Sequence, residues 1–245
     1  MTDSTLLDAP PAARAQVAPH TAGTYAIIFD MDGTMIDSMP WHARAWVEFA
    51  RRHGMAIDVP DLMRRTTGKN GTECIVELLG HPVSQAEADA LTHEKETIYR
   101  SLFAPRFAEV AGFKAFAALV RARGLKVAVG TAGDLGNVDF ALGHLGLEPA
   151  PQAIVRGDEG LPGKPQPAIF LEAARRLGTS PERCIVFEDA PFGIEAARRA
   201  GMRAVAICST HSPEELAGPH VLAAVRDYNE LMNTDFLETI HVATA

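Results

Sequence analysis

Residues 25–37, YAIIFDMDGTMID, join an apolar run to two closely spaced carboxylates. The apolar run has the length and composition of a buried strand, and Asp30 and Asp32 follow directly. Gly33 then predicts a turn, so both carboxylates stand where a strand ends. In an open α/β sheet, this is the edge at which ligands bind.

Asp30 and Asp32 are separated by one residue, so the two carboxylates can have different chemical roles. One can attack a substrate while the other transfers a proton. An ordinary Asp-Gly turn is the structural alternative, and this motif alone does not exclude it. A calcium loop is disfavoured, because Met35 and Asp37 do not continue its alternating oxygen ligands.

Composition sets the class of protein. The 245 residues suffice for one large domain or one and a half, with 47% hydrophobic and 22% charged residues, as in globular proteins. A net charge of −8 argues against nucleic acid as a partner. The sequence has no run of about 20 consecutive apolar residues, the length that a membrane-spanning helix needs. We find no signal peptide and expect a cytoplasmic monomer or weak homodimer, with no membrane partner and with its three cysteines as reduced thiols.

The first third of the chain reads as a tail followed by helices. Residues 1–22 are rich in Ala and Pro and predict a mobile N-terminal tail. From 39 to 106 only helical patterns occur. The first predicted helix carries the apolar stripe Ala43–Ala50 and stops at Gly54. Two shorter helices cover 59–66 and 71–79. A longer helix begins at Ser84, which forms a capping box with Glu87.

From about residue 110, helices and strands alternate. We predict helices at 113–123, 136–145, 166–177 and 192–200, strands at 125–130, 152–155, 184–187 and 203–207, and a weaker strand at 221–225. This alternation predicts an α/β fold, a Rossmann-like doubly wound parallel sheet with helices on both faces. The predicted division is a core of 23–38 and 107–235, an inserted helical domain of 39–106, and a C-terminal tail of 236–245.

Three further polar clusters follow predicted strands. Thr131 and Ala132 come just before a helix and are candidates for binding phosphate, although Thr is also an ordinary helix-start residue. Lys164 stands in a stiff, proline-flanked loop, where a plain surface lysine is the alternative. Glu188 and Asp189 end a buried strand, which is costly unless a cation such as Mg²⁺ binds there. Together the clusters supply what phosphoryl transfer needs.

With these residues assembled, the chain resembles the haloacid dehalogenase superfamily. Its four motifs occur in order: Asp30–Thr34, Thr131, Lys164, and Glu188 with Asp189. The resemblance covers about residues 24–210, and the position of the helical insertion is similar to that of the family's helical cap. The run Glu188–Ala197 is similar to the beta-phosphoglucomutase-like branch.

The resemblance implies a role for each motif residue. Asp30 would be the nucleophile that becomes phosphorylated, and Asp32 would protonate the leaving alcohol and then activate water. Mg²⁺ would be held by Asp30, the backbone carbonyl of Asp32 and Asp189, with Glu188 as a further candidate. Thr131, Ala132 and Lys164 would bind the transferring phosphoryl group. An acid at position 32 disfavours phosphonate and haloacid chemistry.

The resemblance leaves two enzymes in contention, a phosphatase of small sugar monophosphates such as fructose 1-phosphate and a beta-phosphoglucomutase. The mutase grips a second phosphate with an arginine, which Arg65 matches, and with a Ser-Lys-Asn run, where this chain has Gly133–Leu135. Asp134 in this run would repel a dianion, which favours the phosphatase. A non-catalytic binding module is a third alternative, although all four motifs are intact.

Residues of the inserted helices supply the remaining site predictions. His42 aligns with a histidine that in the mutase helps to control the acid/base aspartate, and an ordinary surface histidine is the alternative. Arg65, Lys69 and Asn70 are candidates for facing the substrate, in a loop to which Gly68 gives mobility.

Overall fold

Six parallel strands form one sheet. The computed structural model of the chain describes residues 26–240, and the predicted N-terminal tail lies outside them. The strands stand in the order β3-β2-β1-β4-β5-β6. Their bounds are β1 Ala26–Phe29, β2 Lys126–Gly130, β3 Ala153–Val155, β4 Cys184–Glu188, β5 Arg203–Ile207 and β6 Val221–Val225. The order confirms the predicted doubly wound parallel sheet.

Ten α-helices join and cover these strands within residues 26–240. Their bounds are α1 Met39–Arg52, α2 Val59–Thr66, α3 Gly71–Leu79, α4 Gln85–Phe103, α5 Phe113–Ala122, α6 Leu135–Leu145, α7 Ala168–Leu177, α8 Pro191–Arg199, α9 Tyr228–Met232 and α10 Phe236–Thr239. In that part of the chain, no helix is both long and apolar enough to cross a membrane.

The central strand β1 is buried on both faces. Ile27 and Phe29 pack with α5, α6 and α9 on one face, and Ala26 and Ile28 pack with α7 and α8 on the other. Strands of parallel sheets that are covered by helices on both sides have this near-continuous apolar composition. The sheet is therefore sandwiched between helical layers, and its strand ends remain the accessible edge.

Four helices, α1 to α4, lie between β1 and α5, and we call residues 39–106 the helical insertion. Helices α2 and α3 have the predicted bounds. The full capping box belongs to Asn70 and Glu73 at the start of α3. At α4 the structure shows one half of the predicted box, in which the hydroxyl of Ser84 accepts from the N–H of Glu87.

The C-terminal segment differs from the prediction. Residues 236–240, predicted as the start of a tail, contain α10, and Phe236 and Ile240 are buried in the core. Helix α9 was not predicted either, and it buries Tyr228 against the same face of the sheet. Helices of four and five residues are too short for a helical period to be read.

Candidate active site

The ends of β1 and β4 bring three buried carboxylates together. The two strands are neighbours in register, with Phe29 opposite Phe187, so Asp30 and Glu188 leave the sheet at nearly the same level. The N–H of Asp30 donates to the carbonyl of Phe187 at 2.9 Å, which extends the pairing to the nucleophile candidate. Asp189 follows, and all three side chains are almost completely buried.

Lys164 joins two of these carboxylates. Its Nζ lies 2.5 Å from Oδ1 of Asp30 and 2.7 Å from Oε1 of Glu188. The same ammonium stands 4.9 Å from the centre of the Phe170 ring. The lysine predicted to be held by its proline-flanked loop therefore lies at the strand ends rather than at the surface.

One ammonium does not balance three carboxylates. Burial raises the pKa of Asp30, and Glu188 and Asp32 raise it further, against the opposing effect of Lys164. Burial raises the pKa of Asp189 as well, with Glu188 and Asp30 adding to the shift. Full ionisation of these carboxyls therefore needs a further cation.

Two glycines leave the space in which the acids sit. Gly33 has a φ of +73°, and a Cβ there would lie 2.2 Å from Oδ2 of Asp189. A Cβ on Gly193 would lie 1.7 Å from Oε1 of Glu188. The hydroxyl of Thr210 donates to Oδ2 of Asp189 at 2.6 Å and fixes that side chain.

The donor set suits Mg²⁺ in its chemistry, since carboxylate oxygens are the ligands that this ion prefers. Asp30 and Asp189 fit the predicted roles, because each has a raised pKa that a cation would lower. Glu188 fits less well, because Lys164 and the N–H of Ala190 engage its two oxygens. Within residues 26–240, no three His, Cys, Asp or Glu side chains converge closely enough to form a complete cation site by themselves.

Asp32 belongs to a separate network with the helical insertion. Its Oδ1 accepts from the hydroxyl of Ser38 at 2.8 Å, and Nε2 of His42 lies 3.0 Å away. The ring of Tyr99 stacks on His42 with centroids 3.8 Å apart. Nζ of Lys95 is 2.7 Å from Nδ1 of His42.

The contact with Lys95 fixes the tautomer of His42. An ammonium only donates hydrogen bonds, so Nδ1 of His42 accepts and Nε2–H donates to Asp32. Burial alone would raise the pKa of Asp32, but its contact with His42, the hydrogen bond from Ser38 and the charge of Lys95 hold the pKa below its ordinary value.

The segment after β2 places Thr131 at the same edge of the sheet. Thr131 is buried, and its Oγ1 accepts from the N–H of Gly133 at 3.0 Å, which leaves its hydroxyl proton able to donate. Thr131 and Ala132 both line the cavity described below. The helix N-terminus is less open than predicted, because Asp134 caps α6 by accepting from the N–H of Asn137.

A cavity of about 990 Å³ separates the strand ends from the insertion. It is bordered by Asp30, Asp32, Thr131, Asp189, Lys69 and Asn70. The strand ends and the insertion thus enclose one site.

Arg65 is not part of this cavity lining. Its guanidinium pairs with Asp61 at 2.8 Å and with Glu77 at 2.7 Å, so the prediction that it faces the substrate is not supported. Lys69 does border the cavity, but its Nζ is 2.6 Å from Oε1 of Glu77. Asn70 borders it too, while its side chain caps α3.

Ser38, Lys95 and Thr210 were missed at the sequence level. Lys95 had a readable signal: it lies on the face of α4 that carries Ala88 and Tyr99, seven residues after one and four before the other. No local sequence pattern indicated that Ser38 or Thr210 belongs to the site. The partner of Ser38 is Asp32, across a turn, and the partner of Thr210 is Asp189, 21 residues away.

The model of the haloacid dehalogenase-like hydrolases matches residues 25–201. The chain belongs to this family. Among similar proteins is the fructose-1-phosphate phosphatase YqaB of Escherichia coli, with 36% identity over 73% of this chain and 94% of that protein. The hexitol phosphatase A of the same organism is 32% identical over 74% of this chain and 81% of that protein.

Solved structures of the haloacid dehalogenase family agree. The beta-phosphoglucomutase of Clostridium difficile superposes with a TM-score of 0.77 and 27% identity, covering 89% of this chain and 97% of that one. The predicted α/β fold, the resemblance and the class of enzyme, a phosphatase of the haloacid dehalogenase type, are thereby confirmed.

Proposed function

We propose that this enzyme is a Mg²⁺-dependent phosphatase of small sugar monophosphates that works through an aspartyl-phosphate on Asp30. One observation carries the proposal: Asp30 and Asp32 stand together, yet each has its own partners. Lys164 holds the first, and His42 with Ser38 holds the second. The two carboxylates have different partners, which suits two different roles. The pKa of Asp30 is raised and that of Asp32 is lowered, so a nucleophilic Asp30 needs a cation to ionise it, and Asp32 needs the negative charge of the substrate to keep a proton.

In the first step, a carboxylate oxygen of Asp30 attacks phosphorus, and the bond from phosphorus to the sugar oxygen breaks. Asp32 gives a proton to that oxygen. The pKa of Asp32 is low before substrate arrives, and the negative charge of a phosphate beside it raises that pKa so that it carries the proton. Lys164 and Thr131 reduce the repulsion between phosphate and carboxylate.

In the second step, water attacks the phosphorus of the aspartyl-phosphate and the bond to Asp30 breaks. Asp32, now a carboxylate, takes the proton of the water, so inorganic phosphate leaves and both residues return to their initial states. A bound Mg²⁺, held by Asp30, Asp189 and the backbone carbonyl of Asp32, would supply positive charge to the phosphoryl oxygens.

The surroundings of the cavity favour a phosphatase over a mutase. A mutase must hold a second phosphate, and the candidate cations of the insertion, Arg65 and Lys69, are both paired with Glu77. Asp134 stands at the start of α6, where its negative charge opposes a second dianion. The similarity to a beta-phosphoglucomutase structure keeps the mutase as the alternative to be tested.

The similar proteins and the cavity together indicate the class of substrate. Fructose-1-phosphate and hexitol phosphatases are among the similar proteins, and a cavity of about 990 Å³ lined by both polar and apolar side chains admits a phosphorylated hexose or hexitol. We therefore propose small sugar and sugar-alcohol monophosphates, with fructose 1-phosphate as the first to try.

The direct test is phosphate release from p-nitrophenyl phosphate with Mg²⁺, comparing wild type with Asp30→Asn. The matched control is Asp37→Asn, which makes the same change at an exposed aspartate seven residues along. The proposal requires Asp30→Asn to abolish turnover and Asp37→Asn to retain it. Turnover that survives in Asp30→Asn would exclude the aspartyl-phosphate.

A further inference from the structure

Helix α4 of the insertion contacts helix α6 of the core through the rings of Tyr99 and Phe103 on Phe140, and through one buried amide, that of Asn137. Nδ2 of Asn137 donates to Oε2 of Glu96 at 2.8 Å, and Oδ1 of Asn137 accepts from Nη1 of Arg100 at 2.8 Å. Both ends of the amide are thus engaged by residues one turn apart on α4. These two partners fix which end of the amide points where, because a carboxylate only accepts and a guanidinium only donates.

The contact is built into the packing. Asn137 is 2% exposed and Glu96 is 9% exposed. Gly136 leaves room for the guanidinium, since a Cβ there would lie 2.9 Å from Nη1 of Arg100. A buried amide that satisfies a carboxylate and a guanidinium at once holds the two helices in one register.

From Asn137 an unbroken series of polar contacts leads to Asp32. The other oxygen of Glu96 lies 2.9 Å from Nζ of Lys95. That ammonium is 2.7 Å from Nδ1 of His42, whose Nε2 is 3.0 Å from Oδ1 of Asp32. The rings of Trp46 and Tyr99, at 5.0 Å and 5.6 Å from Nζ of Lys95, leave the ammonium little freedom to move.

We propose that Asn137 is a positioning residue for Asp32: by holding Glu96 and Arg100, it docks α4 on α6 and keeps Lys95 and His42 on Asp32. The proposal rests on the acid/base role of Asp32 proposed above. Without the amide, Glu96 loses a buried donor and turns toward water, and Lys95 moves with it. His42 then loses the donor that fixes its tautomer, and Asp32 loses its orientation toward the leaving oxygen.

The test uses an exchange of partners. Asn137→Asp places a second carboxylate beside Glu96, and the two repel each other. Glu96→Gln combined with Asn137→Asp restores an amide facing a carboxylate, with the groups exchanged, and keeps an acceptor for Arg100. Asn233→Asp, at an exposed position after α9, is the matched control. If Asn137→Asp does not fold, Asn137→Ser carries the test, because one hydroxyl does not hold both partners.

The first readout is hydrogen exchange in the full-length protein. We expect faster exchange in α4 and α1 of Asn137→Asp, unchanged exchange in β1 and β4, and wild-type exchange in the double variant and in Asn233→Asp. Unchanged exchange of α4 in Asn137→Asp would overturn the docking role.

The second readout compares two aryl phosphates of similar size, phenyl phosphate and p-nitrophenyl phosphate. Phenolate is the poorer leaving group and depends more on protonation by Asp32, and kcat/KM reports the first phosphoryl transfer. We expect the ratio of kcat/KM for phenyl to p-nitrophenyl phosphate to fall about tenfold in Asn137→Asp, a part of what general acid catalysis contributes. We expect the double variant to recover most of that ratio. A purely structural defect lowers both values equally and leaves the ratio unchanged.

The outcomes separate the two proposals. An unchanged ratio in an Asn137→Asp protein whose α4 exchanges faster would overturn the positioning role. A wild-type protein that releases no phosphate from either ester, or an Asp30→Asn protein that still does, overturns the proposed function and the positioning role together. The exchange experiment decides the docking contact in either case.

Discussion

Asp30 and Lys164 are 134 residues apart in the chain, and Nζ of Lys164 lies 2.5 Å from Oδ1 of Asp30. The ammonium also reaches Glu188, so it is shared between the end of β1 and the end of β4. A carboxylate that must attack a phosphate needs such a cation, because both reactants are negative.

Replacing Lys164 by Met should lower kcat/KM for a sugar monophosphate by about 10² to 10³, the usual cost of removing one preorganised donor. Stopped phosphate-release assays at saturating Mg²⁺ measure this loss. Lys114→Met, at an exposed lysine of α5, should change kcat/KM less than about twofold, as surface substitutions usually do. Equal activity of both variants would show that Lys164 has no role in transfer.

The raised pKa values of Asp30 and Asp189 predict a pH-dependent stability. Above 3.8, their ordinary value, these carboxyls keep protons in the folded protein that the unfolded chain has lost, so stability falls as pH rises toward their folded pKa values. The slope is at most about 1.4 kcal/mol per pH unit for each group. Mg²⁺ favours the ionised forms and should flatten the fall.

Urea midpoints measured with and without Mg²⁺, from about pH 5 to about pH 8, test this dependence. Stabilisation by Mg²⁺ should grow with pH in the wild type and should shrink in Asp189→Asn, which removes one ligand and one titrating group. A Mg²⁺ effect that is the same at every pH would contradict the expected competition between protons and Mg²⁺ for Asp30 and Asp189.

Gly193→Ala should destabilise the protein by about 1–3 kcal/mol, the range for overpacking a buried site, because its Cβ would overlap the carboxylate of Glu188. Lys164 loses a partner when Glu188 moves, so activity should fall as well. Gly143→Ala in α6 is the control, because a Cβ there meets nothing within 4 Å. It should stabilise the protein by about 0.5–1 kcal/mol as an exposed helical glycine replaced by alanine. Thermal unfolding compares the two, and equal midpoints would refute the overlap.

Arg65→Ala should leave kcat/KM for a sugar monophosphate within about threefold of wild type, since the guanidinium is engaged by Asp61 and Glu77 outside the cavity lining. Its stability cost should be about 1 kcal/mol or less, as for exposed ion pairs. Saturation kinetics over a range of substrate concentrations measure both kcat and KM. A large rise in KM would reinstate Arg65 as a residue that binds substrate.

Much of the core of this site was predictable from local sequence. Asp30 and Thr131 follow strands and Glu188 ends one, each strand has a readable apolar run, and the ends of parallel strands meet at one edge. The position of Lys164 was harder to predict, because it lies nine residues beyond the end of β3 at Val155 and a plain surface lysine was the alternative.

The contacts that residues of the helical insertion make with other elements could not be predicted from local sequence. The helical period places Lys95 on the buried face of α4, but nothing local names the partners of Lys95 and Glu96, which α1 and α6 supply. Arg65 matched a motif position, but the deciding contact comes from Glu77 on the next helix. Pairings between distant elements set these roles, and no period of a single helix encodes them.

Phosphate release from fructose 1-phosphate, run beside a coupled assay for the conversion of beta-glucose 1-phosphate to glucose 6-phosphate, distinguishes a phosphatase from a mutase. We predict Mg²⁺-dependent release of inorganic phosphate from fructose 1-phosphate or a related hexose or hexitol monophosphate, without isomerisation. Isomerisation that depends on a bisphosphate primer, with little free phosphate, would contradict this account and establish the mutase.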